Sequence, residues 1–267
     1  MSASPPPQTS DPWIRCFRPR PEADVRLVCF PHAGGSASYY HPLAVSPTLL
    51  PDAEVLAVQY PGRQDRRRER LLDGIPEMAD LITEALAPYD DRPLAFFGHS
   101  MGAVLAFEVA QRLSERPGGQ PCGLFVSGRR APSLYRRGTV HLLNDAELVG
   151  ELRRAGGTDP RFLDDEELLA DIIPVVRNDY RAIELYQWTP APPLTCPVTA
   201  LVGDRDPQAS LDDAEAWRKH TDGPFGLEVF SGGHFYLNTH QRGVADVISE
   251  ALAAGARRHA TARGNAQ

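Results

Sequence analysis

Leu94-Ala95-Phe96-Phe97-Gly98-His99-Ser100-Met101-Gly102-Ala103-Val104 is the stretch on which the fold turns. An apolar, β-like run ends in Gly98-x-Ser100-x-Gly102. A helical pattern follows at once, with Val104, Phe107, Val109, Ala110 and Leu113 at roughly helical spacing. In that setting G-x-S-x-G is a nucleophile elbow, a sharp strand-to-helix turn that lifts a serine hydroxyl above the end of a sheet. Such a turn strains the backbone at Ser100. It also brings strand and helix so close that the residues two before and two after must lack a Cβ. In a chain with 22 glycines the pattern alone is weak, and its context separates an elbow from a glycine-rich turn with an incidental serine.

Outward from the elbow, β-rich runs alternate with helical patterns. Val25–Phe30, Glu54–Gln59, Pro93–Phe97, Gly123–Ser127, Val198–Val202 and Leu227–Phe230 read as strands. Ile75–Leu86, Met101–Leu113, Leu211–Lys219 and Gln241–Leu252 read as helices. The alternation implies an α/β fold, a mainly parallel central sheet flanked by helices on both faces. It is interrupted over about residues 131–194, longer than one crossover needs. There Asn144-x-x-Glu147 resembles a capping box opening a helix to Ala155, closed by Gly156-Gly157. Further helical patterns at 165–173 and 175–186 are separated or kinked at Pro174. The interval is expected to be a helical lid that shapes a pocket and excludes water. Leu168, Leu169, Ile172, Val176, Tyr180, Ile183 and Tyr186 would face the pocket or the sheet. One domain is expected over 12–254, with residues 1–11 and the tail 255–267 disordered.

A chain of 267 residues with 24% charged and 42% hydrophobic residues suits one large soluble domain. The net charge of -7 argues against general nucleic-acid binding. The polar, proline-rich start has no secretion-signal pattern, and no apolar run approaches membrane-spanning length. The four cysteines form no C-x-x-C pair, so a reduced, cytoplasmic setting is expected. The histidines at 41, 141, 220, 240 and 259 fall in no metal-ligand spacing; neither metal nor cofactor is expected. Lys219 is the single lysine, and arginines cluster at residues 62–70, at Arg129-Arg130 and at Arg136-Arg137. Such runs are usually solvated loops, but both regions follow strands that should end near the elbow and could face an anionic partner.

A serine hydroxyl needs a base to take its proton and a carboxylate to orient that base. After the strand Val198–Val202 comes Gly203-Asp204-Arg205-Asp206-Pro207, and after Leu227–Phe230 comes Ser231-Gly232-Gly233-His234-Phe235. Asp206 lies farther beyond its strand, where Pro207 holds the turn, and is the first choice for the acid; Asp204 stays open as the alternative. His234 is the expected base. His99 is a weaker candidate, since neighbouring side chains at an elbow diverge. The loop Pro31-His32-Ala33-Gly34-Gly35-Ser36 lacks phosphate-loop patterns and occupies the position that supplies one oxyanion donor, assigned to Ala33, with Met101 as the other. His32 reads as structural.

Together with Gln59-Tyr60-Pro61-Gly62-Arg63, these motifs occur in the order and spacing of a known family. Over about residues 12–253 the chain resembles the type II thioesterases, the stand-alone editing enzymes of polyketide and nonribosomal peptide synthases, which have the α/β-hydrolase fold. The resemblance implies Ser100 as nucleophile, Asp206 as acid, His234 as base, and Met101 and Ala33 as oxyanion donors. It implies hydrolysis of stalled acyl groups from the phosphopantetheine arm of an acyl or peptidyl carrier protein, by an enzyme expected to be a monomer. Carrier proteins are typically acidic, which would suit the arginine clusters. The alternatives are an esterase or lipase acting on free esters, a silent ligand-binding protein, or transfer to an acceptor other than water.

Overall fold

The apolar runs at 25–30, 53–58, 94–99, 123–127 and 198–203 are almost wholly buried, which is what a parallel sheet covered by helices requires, while the run at 225–230 stands half-exposed at the sheet edge. A computed structural model describes residues 11–157 and 160–264. Among them, one sheet contains β1 (Ile14–Arg15), β2 (Val25–Phe30), β3 (Ala53–Val58), β4 (Leu94–His99), β5 (Gly123–Ser127), β6 (Val198–Gly203) and β7 (Phe225–Phe230). The strand order is β1-β3-β2-β4-β5-β6-β7. β1 pairs antiparallel with β3, and every other pair is parallel. β1 is too short to show a period in sequence. It is held by Gln59 N–H donating to Trp13 O (2.7 Å) and by Arg66 lying 4.4 Å over the Trp13 ring.

The helices are α1 (His41–Val45), α2 (Ile75–Ala85), α3 (Met101–Ser114), α4 (Asp145–Ala155), α5 (Glu166–Leu185), α6 (Leu211–Glu215) and α7 (Gln241–Gly264). Strand alternation sorts the core into two layers. Val28, Phe30, Leu56 and Phe96 meet Ile75 and Met78 of α2 and Phe107 of α3 on one face. Leu27, Cys29, Val55 and Phe97 meet Ala44 of α1 and Ile248 of α7 on the other.

One expected α-helix is cut short. The segment from Leu211 is helical only to Glu215 and continues as 3-10 turns from Ala216 to His220. Of the two alternatives at Pro174, separation does not occur: both patterns lie in a single helix, α5, with Pro174 inside it, where the proline removes one N–H and packing of both halves holds the rest together. α7 runs on to Gly264, through an Ala- and Arg-rich composition that is strongly helix-forming. Asp11 is likewise ordered, its carboxylate accepting from Trp13 N–H (2.7 Å). The rest of the disorder expected at the two ends falls on residues outside those described.

Both α4 and α5 stand between β5 and β6, where the insertion is expected. The Asn144 capping box forms as read, and Gly156 closes α4 in the left-handed region at φ 78°. Val176 of α5 packs with Leu148, Leu152 and Leu163, while Ile183 reaches the main core; Leu168 is exposed.

Candidate active site

β4 passes into α3 through Ser100 alone, at φ 56° and ψ -115°. A non-glycine residue in that region stores strain, which persists only where its surroundings impose it. Here the two flanking glycines do. A Cβ on Gly98 would lie 2.1 Å from the carbonyl oxygen of Gly102, and one on Gly102 would lie 2.0 Å from that of Phe30. The second contact presses the first turn of α3 onto the end of β2. The loop from Pro31 to Ser36 is thereby set beside Ser100.

Met101 opens α3, so its N–H has no acceptor within the helix. Ala33 sits in a loop pinned on both sides: Gly35 N–H donates to His32 O (2.9 Å), and Gly34 N–H donates to a carboxylate oxygen of Asp179 in α5 (2.8 Å). Gly34 has φ 77°, and a Cβ there would stand 2.6 Å from Val176. Among the described residues, neither the Ala33 N–H nor the Met101 N–H is taken by a protein acceptor. Both remain available to an incoming oxygen.

His234 and Asp206 meet directly. Nδ1 of the ring lies 2.8 Å from Oδ2 of the carboxylate, and the two side chains are 3% and 0% exposed. Asp206 also accepts from Gln208 N–H (2.8 Å). With Nδ1 donating to Asp206, Nε2 is the nitrogen left to act as a base. Asp204, the alternative acid, does something else. Its exposed carboxylate accepts from Gly232 N–H (2.8 Å), which holds its pKa below the usual carboxylate value and ties down the histidine loop. A Cβ on Gly203 would stand 2.5 Å from the carbonyls of Gly232 and Gly233, so the acid and histidine loops touch.

β5 brings this pair to the elbow. Ser100 N–H donates to Ser127 O (2.8 Å), and a Cβ on the next residue, Gly128, would lie 3.3 Å from the His234 ring. The Ser100 hydroxyl makes no hydrogen bond among the described residues. Contacts of this kind are often long in an unliganded site and tighten with substrate.

Around His234 lies a layer the sequence reading missed. His99 is fully buried, its ring centre 4.9 Å from that of His234, and its Nδ1 bonds Ser127 Oγ (2.9 Å), which in turn bonds Tyr236 Oη (2.7 Å). Burial, reinforced by His234 and His32, drives the His99 pKa well down. His32 is packed edge-on against Tyr39 and Phe235, and burial, with His234 and Arg63 nearby, lowers its pKa to about 3. Both rings are therefore neutral at pH 7, and neither is placed to act as the base. Ser127 ends a strand, a usable signal; Tyr236 had none.

The basic stretch divides on folding. Arg63 is buried in an ion pair with Asp179, and Arg66 pairs with Glu69 (2.5 Å) and donates to Gln59 O (2.8 Å). Those two arginines are structural. Arg67, Arg68 and Arg70 remain exposed.

A family model described as a thioesterase domain matches residues 25–252. The chain is 53% identical over 241 residues to thioesterase PikA5 of Streptomyces venezuelae, covering 90% of this chain and 85% of that protein. It is 51% identical to a probable cadicidin biosynthesis thioesterase of Streptomyces griseus, covering 91% of this chain and 67% of the relative. Its structure is similar to that of the type II thioesterase BorB from the borrelidin biosynthetic cluster, with TM-score 0.84, 51% identity and coverage of 91% and 98%.

Proposed function

The chain belongs to the thioesterase family, as an enzyme of its type II class, and from that premise we propose that it hydrolyses acyl groups from the phosphopantetheine arm of acyl or peptidyl carrier proteins, editing stalled intermediates of polyketide or nonribosomal peptide synthesis. The observation that carries the reading is the buried His234–Asp206 pair, set across β5 from a serine held at φ 56°.

In this reading Ser100 Oγ attacks the thioester carbonyl while His234 Nε2 takes its proton. The charge that develops on the carbonyl oxygen is received by the N–H groups of Met101 and Ala33, each lowering the barrier by about 3 kcal/mol. The tetrahedral intermediate collapses with loss of the phosphopantetheine thiol, to which His234 returns the proton. A thiol leaves readily, since its pKa is about 8.5. Water activated by His234 then attacks the acyl-serine, and its proton passes through His234 to Ser100 as the acid departs. Asp206 holds the imidazole in the required tautomer throughout. The helices α4 and α5 act as the lid. The exposed Arg67 and Arg68 are the part of the basic stretch left to meet an acidic carrier, Arg70 being paired with Glu77 (3.1 Å). In this reading the enzyme works as a cytoplasmic monomer.

The test compares kcat/KM on an acyl-carrier protein with that on a free oxygen ester of the same acyl group, while mass spectrometry follows the acyl adduct on Ser100. A preference for the carrier thioester of about tenfold or more, with the adduct absent in Ser100→Ala, is expected. Equal use of the free ester would return the protein to general esterase chemistry.

A further inference from the structure

Arg129 and Arg130 directly follow Gly128, the residue against the His234 ring. Both are half-buried and line a shallow cleft together with Val104, Arg136, Ile183 and Tyr186. Val104 lies one helical turn past Ser100, so the cleft begins about 6 Å along α3 from the nucleophile. Arg129 is fixed in place through its backbone, whose carbonyl accepts from Trp217 Nε1 (2.8 Å).

Among the described residues, neither guanidinium has a hydrogen-bond or ion-pair partner. The Nε of each is buried with no acceptor, and no ion pair joins either one to a carboxylate among the described residues. The carboxylates whose fields reach them are already committed. Glu184 accepts from Val140 N–H (2.9 Å), His141 N–H (3.1 Å) and His141 Nδ1 (2.5 Å). Asp213 takes Arg136 bidentately (2.6 and 2.9 Å) and Ser210 N–H (3.1 Å). Tyr180 and Tyr186, also near Arg129, are phenols whose pKa burial raises, so they supply no negative charge. Burial, together with the neighbouring Arg130, lowers the Arg129 pKa to about 10, which leaves it cationic at neutral pH.

An unpaired cation is costly even when half-buried, and a chain of net charge -7 has carboxylates to spare. Two such cations side by side, next to the reacting centre, mark a place kept for an anion from outside the chain. We propose that Arg129 and Arg130 form a binding subsite for an anionic oxygen group carried by the thioester substrate, a carboxylate or a phosphate. The planar guanidinium fork matches both. Such a group has two sources, a carboxylate ending the acyl chain or the phosphate of the arm. The closeness of the cleft to Ser100 favours the acyl carboxylate, because the phosphate stands at the far end of the arm from the sulfur. The inference rests on the thioesterase reading and adds to it a selectivity for charge.

The experiment uses pantetheine thioesters in two matched pairs, one differing in a terminal carboxylate on the acyl group and the other in a phosphate on the arm. The kcat/KM ratio of the anionic to the neutral member is measured for the wild-type chain, Arg129→Gln, Arg130→Gln and the double variant. In at least one pair the double variant should lower that ratio about tenfold or more, and Arg129→Lys should retain more of it than Arg129→Gln. The pair that responds identifies the source. Arg242→Gln, on the exposed side of α7, should match the wild type. A second measurement is independent of turnover: malonate and inorganic phosphate are titrated against thermal unfolding, and the stabilisation by at least one should vanish in the double variant. Unchanged ratios in both pairs, or anion stabilisation that survives both substitutions, overturn the subsite. If the wild-type chain hydrolyses none of the thioesters, the thioesterase reading fails instead, and the thermal titration alone decides the subsite.

Discussion

Asp204 and Asp206 stand two residues apart on the loop after β6, and only Asp206 reaches the ring of His234. The chemistry each performs follows from what it accepts. Asp206 takes the Nδ1–H of a buried imidazole, so Asp206→Asn would offer an amide that favours the wrong tautomer. A fall in kcat of about 10⁴-fold is expected in steady-state kinetics on an acyl-pantetheine. Asp204 takes a peptide N–H at the surface, and an amide oxygen does that nearly as well. Asp204→Asn should stay within about tenfold of wild type. Position beyond the strand and Pro207 made Asp206 the better choice in sequence. The competing role of Asp204 is legible only once Gly232 is seen beneath it, since hydrogen bonds between separate loops leave no trace in local pattern.

At the scale of an element, α5 is more than a cover. Asp179, 1% exposed, accepts from Gly34 N–H in the loop carrying Ala33 and pairs with the buried Arg63. Arg63 in turn donates to Pro61 O (2.9 Å), and its own carbonyl receives Gln59 Nε2 (3.1 Å). One carboxylate thus joins the insertion to two loops of the sheet. Asp179→Ala would leave a buried guanidinium uncompensated and should lower unfolding stability by about 3–5 kcal/mol, measured by urea denaturation. Removing both charges with Asp179→Leu and Arg63→Met should restore much of that loss, because it is the unpaired charge that is costly. Neither partner stands out in sequence: Arg63 lies within a run of cations, and Asp179 is one acid among many on a helix.

Across the whole molecule, three histidines are held neutral by burial: His32 with a pKa near about 3, His220 near about 4, and His99 well below its ordinary value. Unfolded, each titrates at 6.5. Between these values the unfolded chain binds more protons than the folded one, so stability is complete above pH 6.5 and is lost as the pH falls below it. Each histidine contributes a slope of up to about 1.4 kcal/mol per pH unit. Urea midpoints should therefore decline steeply from about pH 6.5 down to about pH 4, and His220→Gln should make the decline shallower. The sequence by itself determined the sheet, the elbow and the chain order of serine, acid and histidine. These follow from hydrophobic period and from glycines that backbone contact demands, both of which are local. The tertiary structure alone decided what Asp204 does beside the acid, which arginines are consumed in ion pairs and which remain open beside Ser100. Those outcomes depend on distances between segments far apart in the chain, and a charge shows its use only when its neighbours in space are known.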